Sequence, residues 1–107
     1  MTTNASAIAA LVKSKKALQD QCDAASGDTL KQLENAIHNI SSEVGRLETA
    51  TLNTATYIPQ TDAFKSTTAE AKAFLATLNT LKTAFSTIGE VASALDSVIN
   101  LITKLSL

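Results

Sequence analysis

The sequence predicts an all-α protein: an antiparallel helical hairpin or a three- to four-helix bundle, with coiled-coil-like heptad packing and its main turn at Pro59. Three observations predict it. Breakers are scarce, with three Gly and one Pro in 107 residues, while Ala, Leu and Lys are plentiful. Two long stretches hold apolar residues at alternating spacings of three and four. One strong punctuation, Tyr57-Ile58-Pro59-Gln60-Thr61-Asp62, separates those stretches near the middle of the chain. There Pro59 removes a backbone donor and pushes Ile58 out of helical geometry. The length fits one α-helical domain over residues 1–107.

After a frayed polar start at 1–4, the first helix is predicted over 5–25. Ile8, Leu11, Val12, Leu18 and Cys22 share a face, which Lys15 interrupts with a side chain able to lay its methylenes along it. Ser26-Gly27-Asp28 is the first break, with Gly27 suited to the left-handed conformation at the C-terminus of the first helix. Asp28 or Thr29 caps the next helix, and Thr29 with Gln32 has capping-box spacing.

The second helix is predicted over 29–57. Leu30, Leu33, Ile37, Ile40, Val44 and Leu47 form a heptad seam that Thr51, Thr54 and Ile58 continue in phase. Glu34, Glu43, Arg46 and Glu48 read as its solvated flank, Glu43 and Arg46 being an i,i+3 surface pair. Gly45 costs about 1 kcal/mol in mid-helix relative to Ala.

Beyond Pro59 a second seam spans 61–106. Phe64, Thr67, Ala71, Phe74, Leu78, Leu81, Phe85, Ile88, Ala92, Leu95, Ile99 and Ile102 hold one phase, which favours a continuous or gently kinked helix. Thr87-Ile88-Gly89-Glu90 competes with that reading, because it has the spacing of a capping box and allows a break near 87–89. As continuous helices, the two halves would each be on the order of 70 Å long.

The composition narrows the function. Nine basic residues nearly balance ten acidic ones, so the chain carries no electrostatic footprint for nucleic acid. Lys13, Lys15 and Lys16 form a basic cluster that reads as a solvated helix face. The single cysteine, Cys22, allows no internal disulfide and reads as a reduced core residue. The single histidine, His38, lies off the seam beside Glu34, without the further ligands a metal needs. No phosphate loop, nucleophile elbow or catalytic constellation is present, so no catalytic residue, cofactor or metal site is assigned and an enzyme is not expected.

No secretory signal or membrane-spanning run is evident: Val91 to Leu107 comes closest, but Asp96 and Lys104 interrupt it. A cytoplasmic location, or export without a cleaved signal peptide, is expected. Two sequons, at Asn4 and Asn39, read as chance matches.

The expected function is therefore a helical protein–protein interaction or structural module, with a second copy or another helical protein as partner. From Ile88 onward the apolar stripe is wide. This places the partner contact on the C-terminal helix at Val91, Val98, Leu101, Leu105 and Leu107, with Leu101 and Leu107 as exposed anchors. A membrane- or lipid-binding helical protein is the alternative, less favoured because the polar face of that helix lacks Lys and Arg enrichment. The layout resembles in shape the small helical hairpins that bacteria secrete, the WxG-type among them. This chain has no Trp and turns at Ile58-Pro59-Gln60, so the likeness assigns no residue.

Overall fold

The apolar spacing and three breaks divide the chain into α1 (Asn4–Cys22), α2 (Gly27–Ala50), a 3-10 turn (Asp62–Phe64), α3 (Ala69–Ala84) and α4 (Gly89–Thr103). They are seen in a computed structural model that describes residues 2–50 and 54–103. The protein is all-helical. The largest extent is 38 Å and the radius of gyration 13.1 Å, so two rods of about 70 Å are excluded.

α1 starts where the Thr3 hydroxyl accepts the Ser6 N–H at 3.1 Å. Residues 2–4 are not frayed, contrary to expectation. The Asn4 N–H donates to the Ala55 carbonyl and the Tyr57 N–H to the Thr2 carbonyl, both at 2.9 Å. The residues before α1 are thereby tied to the segment before Pro59, with Thr3 and Thr56 in an isolated antiparallel bridge. The buried face of α1 is Asn4, Ala7, Leu11, Ser14, Ala17 and Leu18, while Val12 points outward and is half exposed. Gly27 has the left-handed conformation expected of it, φ +60°, but it opens α2 rather than ending α1, which stops at Cys22.

α2 buries Leu33, Ile40, Val44 and Leu47 of the predicted seam, while Leu30 and Ile37 are half-buried and Ala36, off that seam, is buried in their stead. It ends at Ala50 rather than 57. Threonines populate the stretch beyond, Pro59 forbids helix at Ile58, and the chain is drawn back onto α2 by contacts described below. Thr54 and Ile58, expected in the seam, are exposed; Thr51 lies outside the described residues.

The segment 61–106 is two helices, not one. Thr68 caps α3, its hydroxyl accepting the Ala71 N–H at 3.0 Å. Phe64 lies edge-on to Phe74, with ring centroids 5.5 Å apart, and packs the 3-10 turn against α3. α3 stops at Phe85, and α4 begins where the Ile88 carbonyl accepts the N–H groups of Val91 and Ala92, both at 3.0 Å. The Thr87-to-Glu90 motif thus marks a true break, with Glu90 in the first turn of α4. Periodicity misled because a few non-helical residues rotate the stripe without erasing its rhythm. The buried face of α4 is Val91, Ala94, Leu95, Val98, Leu101 and Ile102, whereas Ile88 is exposed and Ala92 and Ile99 are half-buried.

α1 packs against α2 and α4, and α3 packs against α2 and α4. Between them lies one core, in which Leu11, Leu18, Leu33, Ile40, Leu47, Phe64, Leu78, Leu81, Leu95 and Ile102 are fully enclosed. Each such side chain contributes about 1.5–3 kcal/mol. Ser14, buried in the α1–α4 seam, donates to the Ala10 carbonyl at 2.8 Å and the Ala94 carbonyl at 3.2 Å. The bond to Ala94 ties the two helices directly.

Candidate interaction groove and the carboxylate that builds its wall

Glu43 is fully buried. Sequence reasoning placed it in solvent beside Arg46, but its partners lie across the linker. The Tyr57 hydroxyl donates to Oε2 at 2.6 Å, and the Gln60 N–H donates to the same oxygen at 2.9 Å. The Thr61 N–H and hydroxyl donate to Oε1 at 2.8 and 2.9 Å. A carboxylate taken from water needs such donors, and here every one comes from residues 57–61. Tyr57 is buried too. Burial first, then its hydrogen bond to Glu43 and the nearby negative charge, push its phenol well above the usual tyrosine range. With its oxygens engaged by these donors, Glu43 holds the linker onto α2.

This clamp fixes the position of the 3-10 turn, which forms part of a groove between α2 and α3 of about 690 Å³. The α2 wall is a polar stripe at helical spacing: Lys31, Asn35, Asn39, Ser42 and Arg46. The other wall is Thr61, Asp62, Ala63, Glu70, Ala73 and Thr77, over a floor that includes the buried ring of Phe74. Asp62 lies at the Arg46 end of α2, because Glu43 holds Gln60 and Thr61 there. Glu70 is at the start of α3, close to that same end: the Thr68 hydroxyl donates to the Asp62 carbonyl at 2.5 Å. Lys31 is about 22 Å further back along α2. Among the described residues, none of Lys31, Arg46, Asp62 and Glu70 makes an ion pair within the chain; the pairs present are Lys16–Asp20 and Lys82–Asp96.

The partner residues assigned from sequence lie elsewhere. Val91 is 1%, Val98 0% and Leu101 7% exposed, so Leu101 is not an exposed anchor. The wide stripe of α4 is covered inside the molecule, because α4 touches both α1 and α3. Leu105 and Leu107 lie outside the described residues. His38 is exposed, as expected. Cys22 is half-buried rather than enclosed; its thiol points to the Leu18 carbonyl at 3.6 Å, and burial, with Glu34 and Asp23 nearby, raises its pKa. Among the described residues, no three His, Cys, Asp or Glu side chains gather as metal ligands, and no helix is long and apolar enough to cross a membrane.

The sequence did carry a signal for Glu43. It stands seven residues after Ala36, in register with a buried position, and a lone tyrosine with a polar run follows the helix. Comparison with protein-family models, curated proteins and solved structures finds no match to this chain.

Proposed function

We propose that the chain is a non-enzymatic helical interaction module, built as an antiparallel four-helix bundle that turns back at Pro59, and that it docks a partner in the α2–α3 groove. Short connections support the antiparallel arrangement: α1 and α2 are joined by 23–26 and α3 and α4 by 85–88, and each pair is in contact. The observation that carries the docking is the groove itself. It is an open trough with a continuous polar stripe on one wall and charged side chains that have no ionic partner among the described residues. The apolar residues of α4 that suggested a partner contact support the bundle instead, so the C-terminal contact retains only Leu105 and Leu107 as candidates.

A photo-crosslinking amino acid placed at Asn35 or Glu70, in cells that make the protein, tests this reading. Both positions should capture the same protein, whether a second copy or another chain. Gln19, exposed on α1 and outside the groove, should not. Capture from Gln19 alone would place the functional surface elsewhere.

A further inference from the structure

We infer that residues 54–61 are a strap that lifts from the bundle as one unit while the four helices stay packed, with the Glu43 carboxylate as its catch and the start of α1 as its second anchor. The two anchors are joined through Tyr57. Its N–H donates to the Thr2 carbonyl, and its hydroxyl donates to Glu43. Beside it the Ala55 carbonyl accepts the Asn4 N–H, while Gln60 and Thr61 donate to Glu43. Withdrawing the Tyr57 ring therefore breaks both anchors in one step. Little apolar surface resists that step. Of residues 54–60, Tyr57 alone is buried, and Ile58 is 66% exposed. The bonds that are lost are polar, and water replaces their partners on both sides, including the donors around Glu43. Opening stops where apolar packing begins. Leu47 before the strap and Phe64 after it are fully enclosed, and Phe64 lies against Phe74. Thr61 also lines the α2–α3 groove, so lifting the strap changes the wall of that groove. The open form is a minor state of the folded protein, on the order of 0.1%.

Amide hydrogen exchange of the native parent at neutral pH, in urea concentrations below the unfolding transition, reads this opening directly. The amides of Asn4, Tyr57, Gln60 and Thr61 should share one opening constant. It should exceed that of Leu18, Leu78 and Leu95, inside α1, α3 and α4, by about tenfold or more, and should respond far less to urea, because little surface is exposed. Thr61→Val removes one bond to the catch and leaves the other three in place. It should raise the opening constants of all four amides by the same factor, several-fold. Glu43→Gln, which turns an amide N–H toward donors, should raise them by about tenfold or more. Asn4 is the decisive amide, because its N–H bonds the strap and not Glu43. Strap amides that exchange only with the core, at its constant and with its full urea dependence, would overturn the inference. So would a Thr61→Val variant in which Gln60 and Thr61 speed up while Asn4 and Tyr57 keep the parent constants, since the anchors would then open separately.

Discussion

At the residue scale, the chain spends its most expensive group on connection. A carboxylate buried without donors would cost several kcal/mol, so Glu43 fixes the linker by requiring its donors. This binds the pH response of the fold to Tyr57, the single tyrosine. Its folded pKa is raised, so in the unfolded chain the phenol ionises near pH 10 while in the folded chain it stays protonated. The unfolded state then binds fewer protons, and stability falls as pH rises above about 10, by up to about 1.4 kcal/mol per pH unit. Below that pH the contribution is fully present. Urea unfolding at pH 9 and pH 11, compared with Tyr57→Phe, isolates it from the lysines, because the variant should lose that part of the slope. Tyrosinate absorbance of the native parent should stay absent until the chain unfolds.

At the element scale, the first half was legible because the seam of α2 is strict: Leu33, Ile40, Val44 and Leu47 were read as core and are core. The Gly27 conformation was legible too, since φ > 0 is glycine chemistry. The ends of α2 and the break between α3 and α4 were not. Local propensity there competes with long-range bonds, such as Glu43 reaching Thr61, whose hydroxyl would otherwise be free to cap a helix. The two glycines of α2 separate these influences. A Cβ at Gly45 meets nothing within 4 Å and the backbone there is helical, so Gly45→Ala should stabilise by up to about 1 kcal/mol. A Cβ at Gly27 also meets nothing, but φ is +60°, so Gly27→Ala should destabilise by about 1 kcal/mol through backbone strain alone. Opposite shifts in thermal midpoint are the expected result; a loss at Gly45 would mean that α2 needs a flexible point there.

At the scale of the whole molecule, the question is which surfaces the wide stripe of α4 meets. Width was readable from the sequence, but its destination was not. A stripe able to meet two surfaces can meet two helices of its own chain or one helix and a partner, and only the three-dimensional arrangement of α1 and α3 decides. Both lie against α4, with Ser14 bonded to Ala94 from one side and the Lys82–Asp96 pair, 2.5 Å apart, on the other. Lys82 and Asp96 are each about half exposed, so the pair adds little energy and the apolar face must hold the helix. Substituting that face therefore separates a core role from a surface role. As a partner anchor, Leu101 could become Glu without harm to the fold. As a core residue that is 7% exposed, it cannot: the charge must be buried or drag α4 off the core. Leu101→Glu should cost about 2–4 kcal/mol. That is a large share of the roughly 5–15 kcal/mol typical of native proteins. Asn100→Glu, one residue away and exposed, should stay within about 0.5 kcal/mol of the parent. Urea midpoints at equal m-value measure both. Equal midpoints for Leu101→Glu and Asn100→Glu would return the α4 stripe to the surface and, with it, the partner contact that the sequence placed there.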